Sequence, residues 1–271
     1  MKQKKSSVVV IALIVFYLFL PLVLTFFYSV FQKWDDILPS GFTLQYYQQM
    51  FSDSRFLVAL GRTILISILP ILLCTVIVLL AMYVVIVYLP KLDHIMQILC
   101  MIPYAIQGII LAVSILSLYV DAPEPFCDRS FMLTAAYCIM ILPYMYQCIK
   151  NSLNTINAPC LLETAQILGA SKLRAFFSII VPNIFSGIII SMMLSASMVF
   201  GDFVIVNTIG GSYFETASMY LLKIMAESGQ LSSALIVILF LTTLLLSLGM
   251  VSFRTKSQSK LKAKPIPTRL K

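Results

Sequence analysis

ETAQILGASKLRAFFSIIVP, Glu163 to Pro182, stands between two of the most apolar runs of a 271-residue chain. It holds a carboxylate, a lysine, an arginine and a central glycine, a pattern that predicts a helix, a turn and a second helix. Pro159 lies just ahead of it, where a helix can start, and Glu163 falls in the first turn that follows. Gly169 supplies the permissive backbone at which that helix ends and the chain reverses. Ser171 to Pro182 then leads as an amphipathic segment into the next apolar run. A short helix held across a membrane face would be a handle for a partner outside the bilayer, provided that the flanking runs cross it.

Composition says that they do. The chain is 60% hydrophobic and 11% charged, with a mean hydropathy of +0.98, far more apolar than a soluble globular domain. A span needs about 20 apolar residues, and six runs qualify: roughly Val8 to Val30, Thr63 to Val87, Ile95 to Leu118, Phe131 to Ile149, Phe176 to Phe200 and Ala234 to Phe253. The expectation is an all-α membrane protein of six spans forming one domain over 1–271, with a core of about 56–253 and a basic tail over 254–271. The first run exceeds the apolar core of a signal peptide and lacks a small-residue cleavage site, so it reads as an uncleaved span.

Charge orients the spans. With the N-terminus inside, the inner segments hold fourteen Lys and Arg against Asp93 and Glu163 alone, whereas the outer segments hold five against nine acids. That is the positive-inside asymmetry. Both termini and the Glu163 segment are placed in the cytoplasm. The tail RTKSQSKLKAKPIPTRLK, Arg254 to Lys271, reads as a disordered end near anionic headgroups. In the third outer segment, the stretch Phe214 to Met225 is too short to cross and follows NTIGGS; it reads as a re-entrant or interfacial helix.

Much chemistry is excluded. The single histidine, His94, stands beside Lys91 and Asp93 and reads as a solvated loop residue, not part of a triad or zinc site. No G-x-x-x-x-G-K-[ST] loop occurs, and each Asp and Glu falls in a loop or at a span end, so neither an ATP site nor a membrane aspartyl centre is expected. The six cysteines show no C-x-x-C spacing and read as small apolar residues, with only Cys127 outside. Catalytic residues and metal ligands are expected to be absent. Gly187, Ser191 and Ser195 recur at four-residue intervals, a stripe suited to close helix packing and, second, to lining a solute path. Gln107 and Asp202 are further candidates for such a path. Pro103 and Pro143 should kink their spans.

The spacing E-x-A-x-x-x-G, nine residues, then I-x-x-P, realised as Glu163, Ala165, Gly169, Ile179 and Pro182, resembles the EAA loop of permease subunits of binding-protein-dependent ABC importers. Thr164 stands where a second alanine is usual, and Val181 where leucine precedes the proline. The resemblance extends from about Tyr46 through the sixth span, and includes GRTILIS at Gly61 to Ser67. It implies the type I ABC importer permease fold with a cytoplasmic coupling helix. In that family the helix before the glycine sits in a cleft on a separate ATPase, which binds ATP and Mg; this chain would carry no cofactor. Glu163, Thr164, Ala165, Gly169 and Ala170 would form the contact, and Pro182 would shape entry to the fifth span.

The resemblance also implies partners: an ATPase dimer, a second permease chain and an extracellular solute-binding protein meeting the loops around Asp35, Asp121 and Glu215, all at a bacterial inner membrane and without nucleic acid. The third outer segment looks most like the spermidine/putrescine group, whose relatives handle ferric iron, thiamine and phosphonates. Where polyamine permeases carry paired acids after the fifth span, this chain has Gly201 and Asp202. A small polar or cationic solute is the expectation. A stand-alone channel or scaffold, with no ATPase, is the alternative.

Overall fold

The computed structural model describes residues 2–33, 40–106, 108–211 and 214–262. The helices are α1 (Lys2–Val30), α2 (Gln45–Ser52), α3 (Ser54–Val87), α4 (Asp93–Ala105), α5 (Gly108–Tyr119), α6 (Arg129–Thr155), α7 (Ala158–Ile167), α8 (Lys172–Ala175), α9 (Val181–Gly201), α10 (Ala217–Met225) and α11 (Gly229–Lys262). A two-stranded antiparallel ribbon, β1 (Phe31–Lys33) and β2 (Ser40–Phe42), pairs Phe31 with Phe42. Asp35, one of the residues expected to meet a solute-binding protein, lies outside the described residues.

Four of the expected spans are helices long and apolar enough to cross a membrane: α1, α3, α6 and the run Lys172–Gly201. The third differs from expectation. Its residues form two helices, α4 and α5, which meet at 99°. Pro103 sits two residues before the end of α4, where its missing N–H and its ring weaken the preceding turn, and Ile106 closes that end by donating to the Pro103 carbonyl. Pro143, by contrast, is buried inside an unbroken α6. The run expected as the sixth span forms part of α11, whose apolar stretch among the described residues, Gly229–Leu245, is shorter than the four spanning helices. It continues as helix through Lys262, beyond the span end expected at Phe253, and 263–271 lie outside the described residues.

The chain forms two compact units, Met1–Gly61 with Thr216–Thr242, and Arg62–Glu215 with Thr243–Lys271. In the first, Met50, Phe56, Ala59, Tyr220, Ile224, Leu235 and Ile238 make the core. Phe56 and Tyr220 pack ring to ring at 5.8 Å, and the Tyr220 hydroxyl donates to Asp53 between α2 and α3. Ser29 of α1 shares a hydrogen bond with Tyr47 of α2 at 2.6 Å. Beyond that anchor, residues Phe16 to Phe19 of α1 are exposed round the helix, as suits a helix set in lipid.

The second unit is built on α6. Tyr137, Ile141, Met145, Tyr146 and Ile149 are fully buried along it, and α9 runs against it. Lipid offers no hydrophobic drive between helices, so close approach has to come from small residues. Gly187 supplies it: a Cβ there would sit 1.8 Å from Ser152 Oγ and 2.7 Å from Ser152 Cβ. On the same face Ser191 and Ser195 are both fully buried.

Candidate functional site

The segment from Asn157 to Pro182 is assembled from local rules. Asn157 takes a left-handed backbone, φ 49°, and lets the chain leave α6 and re-enter helix at once, with Pro159 in the first turn of α7. At the far end Gly169 N–H donates to the Gln166 carbonyl at 2.9 Å and Ala170 N–H to the Ala165 carbonyl at 3.0 Å. Those two bonds, with Gly169 at φ +85°, are the Schellman closure, in which a glycine past the end satisfies carbonyls the helix leaves open. Ser171 then caps α8 by accepting from the Arg174 N–H.

A π turn over Phe176–Ile180 joins α8 to α9, with Val181 N–H reaching back to the Phe176 carbonyl. Pro182 explains it. Proline offers no N–H to the carbonyl four residues back and its ring crowds that carbonyl, so the helix widens by a residue before continuing. Asn183 adds a side-chain bond to the Ile179 carbonyl at 2.9 Å. Aromatic packing holds the turn: Tyr83 of α3 lies 5.1 Å from the buried Phe176 ring, and Lys172 stands 5.1 Å above the ring of Tyr88.

The candidate side chains divide between two faces. Ala165, with Leu162 and Ala158, is buried beneath α7. Glu163 and Thr164 face outward, and the Thr164 hydroxyl bonds its own helix at the Cys160 carbonyl, 2.8 Å away. Gly169 is exposed and Ala170 half-buried. Sequence reading overlooked what the turn displays: Ile167 is 86% exposed and Leu168 82% exposed, with Leu173 following at 57%. They form a small exposed apolar patch at the tip of the turn. Their alternation with the buried Leu162 and Ala165 was the signal available.

The other candidates lie elsewhere. Asp202, just past α9, accepts from the Tyr137 hydroxyl at 3.1 Å and from Ile205 N–H at 2.9 Å, so its carboxylate caps the segment that follows and ties it to α6. That segment includes a second π turn, Val206–Gly210, whose Ile209 carbonyl accepts from Arg129. Ser191 bonds back to the Ile188 carbonyl at 2.7 Å, whereas the Ser195 hydroxyl has no hydrogen-bond partner among the described residues. Gln107 lies outside the described residues. The short α10 begins three residues after Phe214 and spans nine residues, too few to cross. Among the described residues no three His, Cys, Asp or Glu side chains gather as metal ligands.

Apolar helices of spanning length, a further apolar pair bent at its middle, and a turned pair of short helices displaying leucine and isoleucine define a multi-pass helical membrane protein with an exposed apolar tip. The binding-protein-dependent transport system inner membrane component family matches residues 50–257, and the chain belongs to that family. The spermidine/putrescine transport system permease protein PotB of Escherichia coli (strain K12) is 37% identical over 73 residues, 27% of this chain and 26% of that protein. PotB of Shigella flexneri matches to the same extent, so the chain spans about a quarter of the length of these curated relatives. Among solved structures, a chain of a bacterial ABC transporter involved in the import of the acidic polysaccharide alginate aligns at a TM-score of 0.71 and 15% identity, over 94% of this chain and 96% of the other. A chain of the bacterial alginate transporter in complex with its alginate pentasaccharide-bound periplasmic protein gives 0.68 and 14%, over 97% and 96%. These likenesses establish the all-helical importer permease fold.

Proposed function

We propose that this permease forms half of the translocation pathway of an ATP-driven importer and couples to a separate ATPase through residues 163–170. The observation that carries the reading is the exposed tip: a helix closed at Gly169 that buries Leu162 and Ala165 inward and turns Ile167 and Leu168 out. An ATPase cleft that received this tip would bury roughly two large aliphatic side chains, about 1.5 to 3 kcal/mol each. Closure of the ATPase pair around ATP and Mg would then push on α7 and, through its short link, on α6. Both termini and the tip face the cytoplasm in this arrangement, in keeping with the distribution of Lys and Arg. A second permease completes the pathway, and a solute-binding protein meets the opposite side, as the name of the family and the complex containing the alginate periplasmic protein suggest.

For the solute, the reading is a small polar or cationic compound, of polyamine, ferric iron, phosphonate or thiamine type. Partial likeness to PotB supports the polyamine member. The test is purification of the tagged chain from its own membrane in mild detergent, followed by an ATPase assay with and without Gly169→Pro. The expected result is an ATPase and a second permease that co-purify with the wild type and are lost or uncoupled in the variant. A chain recovered alone would favour the stand-alone reading.

A further inference from the structure

Lys150 stands near the end of α6, and each proton of its ammonium has an acceptor. The Asp93 carboxylate lies 3.0 Å away through one oxygen and 3.1 Å through the other, Gln97 Oε1 at 3.1 Å and the Tyr146 hydroxyl at 3.2 Å. Asp93 and Gln97 are one turn apart at the start of α4, so a single ammonium grips two successive turns. Exposed ion pairs contribute little, but the Lys150 side chain is only 17% exposed, against 47% for Asp93, and its ammonium sits 5.5 Å from the buried Tyr146 ring. Removing the acid would leave a largely enclosed charge short of its partner.

The grip also borders the coupling segment. Asp93, Lys150 and Asn154 line one cavity of about 290 Å³ together with Pro159 and Glu163 of α7. Only Ile156 and Asn157 separate α6 from α7, and α4 is the leading half of the broken span. On the reading that an ATPase moves α7, we infer that Lys150 is a positioning residue that fastens α4 to the corner between α6 and α7, so that displacement of α7 is carried into the α4–α5 break. Without the grip, α7 moves and α4 stays.

Hydrogen–deuterium exchange of the complete transporter in lipid nanodiscs, nucleotide-free and trapped with Mg-ATP and vanadate, tests this without knowledge of the solute. In the wild type, trapping should change exchange in both 158–170 and 90–105. In Lys150→Met the change at 158–170 should persist while that at 90–105 falls by about threefold or more, the scale on which substitutions in coupling networks act. The exchanged pair Lys150→Asp with Asp93→Lys should restore it, which a mere loss of packing would not allow. Should Lys150→Met fail to assemble, Asp93→Asn, at the more exposed partner, carries the same comparison. A 90–105 segment that follows 158–170 equally well in these variants, or never follows it in the wild type, overturns the inference alone. A wild type in which 158–170 does not respond overturns the coupling reading and the inference with it.

Discussion

At Gly169 an added methyl group would meet nothing within 4 Å, yet the backbone sits at φ +85°. Space is therefore not the constraint; chirality is, at about 1 to 2 kcal/mol for a residue with a Cβ. Gly169→Ala should keep most of the tip's ATPase binding, Gly169→Asn should keep more, and Gly169→Pro should abolish it, because proline can neither adopt this φ nor donate to Gln166. Affinity of the purified ATPase for the three variants checks the order. At Asp53 the Tyr220 hydroxyl, with backbone donors, holds the carboxyl below the ordinary 3.8. A group depressed in the folded state stabilises above its unfolded value and ceases to do so as pH falls through the folded one. Tyr220→Phe should therefore lower the melting temperature at neutral pH, and the difference from wild type should shrink as the pH drops below the ordinary carboxylate range, read by thermal scans across pH.

Among the elements, the contact of α6 with α9 is the tightest test of packing. Gly187→Ala drives a methyl into Ser152, whose Cβ as well as Oγ lies within 3 Å, so rotating the hydroxyl does not relieve it. Overpacking of this kind costs about 1 to 3 kcal/mol. A second substitution, Ser152→Gly, removes both atoms and should recover much of the loss; thermal stability of the single and double variants in detergent measures it. The stripe of Gly187, Ser191 and Ser195 was legible in the sequence as a packing pattern. The two π turns were not: Phe176–Ile180 is an apolar run with nothing to set it apart, and the Asn, Thr and Gly of Val206–Gly210 mark an interruption without giving its form. Pro182 marks the first in retrospect. Pro103 marked a kink in the third run, but nothing in the apolar pattern gave its size, a 99° bend between α4 and α5, because hydropathy records affinity for lipid and is blind to direction.

For the whole molecule, the native cysteines offer a check of topology. Cys127 precedes α6 and is half-buried, whereas Cys160 follows it and is exposed. One crossing lies between them. A membrane-impermeant maleimide should reach Cys160 in inside-out vesicles stripped of peripheral proteins, and Cys127 only in right-side-out ones, with Cys160→Ser and Cys127→Ser as controls. The reversed pattern would overturn the orientation read from charge, and labelling of both from the same side would overturn the crossing by α6.

The sequence by itself determined that the chain is a helical membrane protein, where its apolar runs lie, and where the exposed turn falls. Each of these rests on composition, short-range periodicity or a residue with a singular backbone, such as Gly169, and so needs no knowledge of neighbours. Tertiary structure alone decided what the polar residues do. Asp93, which the sequence places only in a loop or at a span end beside His94, grips Lys150 across 57 residues of chain; Asp202 serves as cap and as acceptor for Tyr137, 65 residues away. Partners so distant in sequence are chosen by how helices pack, and in a bilayer that choice depends on shape and hydrogen bonding, which no linear pattern of apolar residues encodes.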